Sequence, residues 1–243
     1  MADLDLQFIG TGNAFAPGGL CWNGFLLNGR VLFEAPPQAL QSLNRLKVDA
    51  NGIDAVVLSH HHGDHFLGLP FLMLQWKYGK RHRPVRVIGP AGTEALTKDL
   101  CSMVYPGTFD QGPEIEWEEL QPGGRTHLGN LELEALPVVH DARLSASLGY
   151  RGALDGRRFA YTGDSALCDA VLDLARHGDV VISECASRAD RVPVHMNLID
   201  DMPQLRSVMR EDAQLLLTHL GPGIESTELE NTRVAQDFER YRF

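Results

Sequence analysis

The run Leu58-Ser-His60-His61-His62-Gly63-Asp64-His65 constrains this 243-residue chain more than any other feature. Counted from His60, imidazoles at i, i+2 and i+5 and a carboxylate at i+4 cannot share one helical face. Residues five apart on a helix sit roughly 140° from each other. A loop leaving a strand at Ser59 resolves the conflict, with Gly63 free to turn. His60 and His62 then face one point, and Asp64 and His65 another. Neutral imidazole and carboxylate are ligands that zinc, manganese or iron accept. A merely solvated polar loop is the competing reading, and the crowding of ligand types argues against it.

The remaining candidates share a position rather than a motif. His140 follows Leu136-Pro-Val-Val, Asp164 follows Phe159-Ala-Tyr-Thr-Gly, His219 follows Leu215-Leu-Leu-Thr, and Glu184 follows Val180-Val-Ile-Ser. Each polar residue closes an apolar, strand-like run, as His60 does. If those strands run alike, their ends converge on one edge, where rigid strands aim ligands. Strands are expected at Leu4–Ile9, Gly24–Leu27, Arg30–Phe33, Ala55–Ser59, Arg86–Ile88, Leu131–Leu133, Pro137–Val139, Phe159–Thr162, Val180–Ser183 and Gln214–Thr218, with helices between them. The clearest helix covers 166–176, capped by Ser165 and stopped at Gly178. Weaker helical patterns cover 38–47, 65–77, 92–103, 200–210 and 226–241. Asp54-Ala-Val-Val-Leu-Ser-His60 and Asp179-Val-Val-Ile-Ser-Glu184 echo each other and hint at two similar halves.

Composition narrows the class. A net charge of −10 argues against a protein that grips a nucleic-acid backbone. It leaves nucleotide substrates open, because bound divalent ions invert the local field. Cys21, Cys101, Cys168 and Cys185 form no C-x-x-C pair, which argues against a structural zinc finger and suits a reducing compartment. No apolar run reaches the roughly 18–20 residues that span a bilayer. With no basic leader at Met1, the expectation is one cytoplasmic domain over 1–243 with no membrane contact.

His-x-His-x-Asp-His at 60–65, followed in order by His140, Asp164 and His219, resembles the metallo-β-lactamase superfamily. That resemblance implies an αββα sandwich of the α/β class with two divalent ions, zinc first, manganese or iron as alternatives. It implies that His60, His62 and His140 hold one ion, Asp64, His65 and His219 the other, and that Asp164 bridges them. Asp64 then counts among the catalytic residues as well. Phe8-Ile-Gly-Thr-Gly, Gly68-Leu-Pro, Ile88-Gly-Pro-Ala-Gly and Tyr161-Thr-Gly-Asp-Ser are similar to the ribonuclease Z-like branch. A dinucleotide reading of Gly10-Thr-Gly12 fails, because the third glycine position holds Phe15. In that branch a histidine between the last two metal motifs acts on the leaving oxygen beside a glutamate, which implies these roles for His195 and Glu184.

Two features depart from the transfer-RNA enzymes of the branch. No long arm fits between His140 and Asp164, so a tRNA substrate is not expected. Phe33-Glu34-Ala-Pro-Pro also stands where the family usually carries an aspartate, so the supporting role assigned there is in question. The basic run Lys77, Lys80, Arg81, Arg83 reads better as a solvated loop than as a phosphate site. His61 is expected to point away from the ions, His82 and His127 to lie in polar loops, and His177 to end a helix, where its dipole favours a cation. The resemblance implies a phosphodiesterase in which a hydroxide shared by both ions attacks phosphorus and His195 protonates the leaving group. Its substrate would be a small or cyclic nucleotide-like ester or an RNA end. An acyl hydrolase of the same fold (lactonase, thioesterase or β-lactamase) is the alternative. A diiron flavoprotein and a purely structural metal site fit less well. Relatives are often dimers, so a homodimer stays open, although no segment marks an interface.

Overall fold

The computed structural model describes residues 4–79 and 81–243. The first three residues, part of the opening on which the leader expectation rests, and Lys80 of the basic run lie outside them. One mixed sheet holds β1 (Asp5–Gly10), β2 (Gly24–Leu27), β3 (Val31–Phe33), β4 (Ala55–Val57), β5 (Val85–Pro90) and β6 (Ile115–Leu120). The second holds β7 (Arg125–Leu128), β8 (Leu131–Pro137), β9 (Leu148–Leu154), β10 (Arg157–Tyr161), β11 (Val180–Glu184), β12 (Gln214–Thr218) and β13 (Thr232–Val234). The strand β14 (Arg240–Arg242) returns to the first sheet and pairs antiparallel with β1.

The strand orders, β14-β1-β2-β3-β4-β5-β6 and β7-β8-β9-β10-β11-β12-β13, are the same pattern twice. In each sheet the second to fourth strands are antiparallel and the fourth to seventh parallel. The echo between residues 54–60 and 179–184 therefore marks equivalent strands, β4 and β11. Their leading aspartates even share a task. Asp54 is held by Arg30 and Arg83, and Asp179 by Arg158 and Arg210.

Helices cover the outer faces, giving four layers. Aromatic and aliphatic side chains of both sheets, among them Phe8, Phe25, Phe33, Tyr150, Phe159 and Tyr161, fill the middle. The helices α1 (Ala39–Arg45), α3 (Leu69–Tyr78) and α4 (Thr93–Val104) pack on the first sheet through Leu43, Leu72, Met73, Trp76 and Cys101. The helices α5 (Asp169–His177) and α6 (Asp201–Ser207) pack on the second through Val171, Leu174, Met202 and Leu205. The short turn α2 (Gly63–Phe66) carries part of the histidine motif. Strands covered on both faces explain the continuous apolar runs of β4, β11 and β12.

Several expectations need correction. The pattern over 226–241 forms no helix. It holds β13 and β14, and Asn231 and Phe238 have φ of 50° and 67°, which no α-helix tolerates. There, pairing with β12 and β1 outweighs local periodicity. Leu131–Leu133 and Pro137–Val139 are not two strands, because β8 runs unbroken from Leu131 to Pro137. Ser165 does not cap α5, which starts after Cys168. Its Oγ instead accepts a bond from the Val139 amide at 3.1 Å. Strands β6, β7, β9, β13 and β14 are absent from the sequence reading. Most are edge or near-edge strands with charged residues or glycine, as in Ile-Glu-Trp-Glu-Glu-Leu, and only pairing defines them.

Candidate metal centre

Strands β4, β8, β10, β11 and β12 all end at one edge of the sandwich, and each delivers a polar residue there. His60 lies three residues beyond Val57 at the end of β4, Asp164 follows β10, Glu184 ends β11 and His219 follows β12. The turn before Asp164 requires glycine: Gly163 has φ of 57°, and a Cβ there would meet the Leu148 carbonyl oxygen at 2.8 Å. Gly163→Ala is expected to destabilise the ion-free protein by about 1–3 kcal/mol, since overpacking adds to left-handed strain. Denaturant titration reads this, and an unchanged midpoint would show that the turn adapts.

All seven expected ligands come together. His60 Nε2 lies 3.1 Å and His140 Nε2 3.0 Å from His62 Nδ1, so three ring nitrogens meet at one point. A second group forms where Asp64 Oδ2 lies 3.3 Å from both His65 Nε2 and His219 Nε2. Asp164 Oδ2 stands between the groups. It lies 3.1 Å from His219 Nε2, 3.3 Å from His65 Nε2, 3.9 Å from His60 Nε2 and 4.0 Å from His140 Nε2. The loop and the α2 turn deliver the motif in two directions, as the spacing required. The motif's glycine is simply the first residue of α2, and its φ is not positive.

Outward-facing atoms fix each ring. Ser59 Oγ meets His60 Nδ1 at 2.9 Å, His140 Nδ1 donates to the Val194 carbonyl at 3.1 Å, and Asp141 Oδ2 lies 3.3 Å from His62 Nε2. These contacts leave His60 and His140 presenting Nε2 and His62 presenting Nδ1. Glu34, where an aspartate was expected, places its Oε1 3.6 Å from His65 Nδ1, within ion-pair range but beyond a hydrogen bond. The same oxygen accepts a bond from the Tyr161 hydroxyl at 3.0 Å. Tyr161 in turn accepts from Asn23, which accepts from Thr218 at 2.7 Å. Glu34, Tyr161, Asn23 and Thr218 are all buried, and their chain links the two sheets. The sequence reading missed Asp141, Tyr161, Asn23 and Thr218. Asp141 adjoins His140, which was a usable signal; the others lie up to 195 positions apart in the chain and carry none.

The donor set fits a pair of cations. Ligands about 2.0–2.1 Å from a tetrahedral zinc ion lie about 3.3 Å from one another, close to the spacings here. His65 Nδ1 and Nε2, Asp164 Oδ1 and His219 Nδ1 are buried without a hydrogen-bond partner. Unsatisfied buried polar atoms are costly, and a cation supplies partners for those that face it. Burial lowers the pKa of His60 and His140, which favours the neutral rings that bind metal. Burial also opposes charge on His65, yet Asp164, Asp64 and Glu34 outweigh it and hold a proton there. Ion binding must displace that proton, so apparent affinity falls as pH falls.

His195 lies beside this cluster, its ring 4.9 Å from that of His140 and stacked on His219 at 5.5 Å. Its Nδ1 meets Glu184 Oε1 at 2.8 Å. The buried Glu184 also accepts from the amides of Ser165 and Met196. Burial would lower the His195 pKa, but the Glu184 carboxylate wins and raises it to about 9. His61 turns away, as expected, to meet Thr93 Oγ1. His127 lies in β7 rather than in a loop. His177 does end α5, but burial lowers its pKa and so works against the expected cation. Arg81 and Arg83 are spent on loop carbonyls and Asp54, and Lys77 on the Gly107 carbonyl.

A four-layer sandwich with imidazoles and carboxylates gathered at the shared strand edge defines a metal-dependent hydrolase. The chain belongs to the beta-lactamase superfamily, whose domain model matches residues 29–220. It is 25% identical to a ribonuclease Z of Methanosarcina mazei over 96% of both chains. Among solved structures, the human short-form tRNase Z superposes with a TM-score of 0.80 at 19% identity over 98% of each chain. A diphosphatase from the PhnP family gives 0.79 at 18% identity, over 100% of this chain and 98% of that one.

Proposed function

We propose that this chain is a metal-dependent phosphodiesterase acting on a small or cyclic nucleotide-like ester or an RNA end. The observation that carries this reading is His195. Glu184 fixes its Nδ1, its pKa stands near 9, and its ring lies against two of the proposed ligands. Nε2 is then the nitrogen that holds a proton for a departing oxygen. The ribonuclease Z and PhnP-family relatives support the same chemistry.

Two divalent ions, zinc by the nitrogen-rich donor set, would supply Lewis acidity and an acidified water nucleophile at this edge. His60, His62 and His140 would hold one, Asp64, His65 and His219 the other, with Asp164 between. The protein's own part is orientation and proton transfer. Ser59, Asp141, Val194 and Glu34 keep the ligand rings in place, and Glu184 keeps His195 charged and aimed. Only residues 141–163 separate His140 from Asp164, which supports a substrate smaller than a tRNA. We take residues 1–243 as one catalytic domain, since both sheets supply ligands. The free thiols Cys21, Cys101, Cys168 and Cys185 suit the cytoplasm. Among the described residues no helix is long and apolar enough to cross a membrane.

Metal analysis combined with a substrate panel tests this reading. The protein is expected to hold two zinc ions and to hydrolyse bis(4-nitrophenyl) phosphate. A chelator should abolish turnover and added zinc restore it. A preference for a lactone, a thioester or a chromogenic cephalosporin would overturn the phosphodiester assignment in favour of acyl hydrolysis.

A further inference from the structure

His219 differs from the other ligands in how it is held. Its φ is 51°, in the left-handed region that such a residue keeps only when its surroundings enforce it. Its Nε2 faces Asp64 and Asp164, while Nδ1, on the outward side, is buried without a hydrogen-bond partner among the described residues. The rings of His60, His62 and His140 are aimed by polar contacts at the outward nitrogen. His219 has to be aimed by its backbone. We propose that Asp237, between β13 and β14, is the positioning residue that does this, by fixing the β1–β2 connection (residues 11–23) in the shape that grips the chain on both sides of His219. The inference rests on the two-ion reading of the centre and adds a residue remote from it in sequence.

The grip consists of three bonds. The Leu220 amide donates to the Thr11 carbonyl at 2.7 Å, and the Asn13 amide donates to the Leu220 carbonyl at 3.1 Å. On the other side of His219, the Thr218 hydroxyl donates to Asn23 Oδ1 at 2.7 Å. Thr11, Asn13, Asn23, Thr218 and Leu220 are all buried, so water does not readily replace these bonds.

The connection that makes the grip is itself a loop, with one short turn at Pro17–Gly19. Asp237 ties its two arms together. Oδ1 accepts from the Thr11 hydroxyl and Oδ2 from the Cys21 amide, each at 2.7 Å. Thr11 is also the residue whose carbonyl receives Leu220, so the tie and the grip share it. Hydrogen bonds to a carboxylate are stronger than those between neutral groups. Asp237 is placed by its neighbours: the Ala235 amide donates to the Leu217 carbonyl at 2.8 Å, and the Phe238 carbonyl accepts from Gln7 Nε2 at 2.7 Å. Contacts therefore run in a closed ring from β12 through His219, Leu220, Thr11 and Asp237 back to β12.

Asp237→Ala removes both bonds of the tie, and Thr11→Val removes one while keeping the shape of the side chain. In the zinc-loaded full-length protein each is expected to lower affinity for the ion at Asp64, His65 and His219 about tenfold, with a smaller change at His60, His62 and His140. In the ion-free protein, amide exchange in a peptide covering Leu220 should speed up in both variants. Asp237→Asn should stay near wild type, since its oxygen can accept from Cys21 and its nitrogen donate to the Thr11 hydroxyl. Arg240→Ala controls for a mere loss of stability: it breaks a bond to Asp5 nearby in the chain, touches neither Thr11 nor Cys21, and should leave both ions as they are. Chelator competition with elemental analysis reads the affinities, and thermal unfolding of the ion-free variants shows that each is folded. If Asp237→Ala does not fold, Thr11→Val carries the test. Unchanged affinity for the second ion, equal losses of both ions, or an Arg240→Ala loss as large as that of Asp237→Ala would overturn the proposal. Wild-type protein holding fewer than two ions would defeat the two-ion reading itself, before any variant is compared.

Discussion

His195→Ala is expected to keep both metal ions and to lose about 10²–10⁴-fold in kcat on an ester with an alkoxide leaving group. An alkoxide cannot depart readily without a proton, and His195 is the protonated ring that is not itself a proposed ligand, its pKa raised by Glu184. Bis(4-nitrophenyl) phosphate releases a stabilised anion that needs little protonation, so the same variant should lose far less on it. The sign with pH follows. The acid form prevails below its pKa, so wild-type turnover of the alkoxide ester should decline as pH rises through the His195 pKa, which Glu184 raises. The variant should lack that limb. Glu184→Gln should move the limb to lower pH, because the buried carboxylate is what raises the imidazole. Equal losses on both esters would remove the leaving-group role and point to a part in substrate binding.

The second large effect concerns metal affinity. Tyr161→Phe keeps the aromatic ring that packs edge-on against Phe25 at 5.3 Å and deletes only the hydroxyl between Asn23 and Glu34. With that bond gone, Glu34 is held less firmly near His65 Nδ1, and His65 loses definition. Affinity for the ion at Asp64, His65 and His219 is expected to fall about 10-fold, the lower end of what losing a ligand's own outer partner costs, because Tyr161 acts one contact further out through Glu34. The ion at His60, His62 and His140 should be affected less, because Asp141 and the Val194 carbonyl orient two of those rings without Glu34, and only Ser59 beside His60 donates its amide to that carboxylate. Chelator competition followed by elemental analysis separates the two sites. Thermal unfolding of the ion-free variant checks that the sandwich is intact. Two ions held with unchanged affinity would show that Glu34 needs no support from Tyr161.

The residues at the strand ends were legible because their signal is local. A buried strand gives a short apolar run, and the first polar residue after it must lie at an edge. The motif at 60–65 was legible for a related reason, since no helix can present its ligands to one side. The echo between Asp54–His60 and Asp179–Glu184 hinted at two similar halves, and these runs prove to be the equivalent strands β4 and β11. Local patterns failed where pairing partners decide the structure, as in the charged β6 and in 226–241, where helical spacing was overruled.

Ligand chemistry and apolar runs are properties of neighbouring residues, so the candidate ligands and most of the strands that carry them could be read along the chain. Only the tertiary structure decided which atoms meet. It placed Asp164 between two groups, gave Glu34 the reach to His65, and joined Thr218 to Glu34 through Asn23 and Tyr161. Those contacts depend on how two separately formed sheets stack. Burial makes each such bond matter, but distance along the chain leaves no trace of it in the sequence.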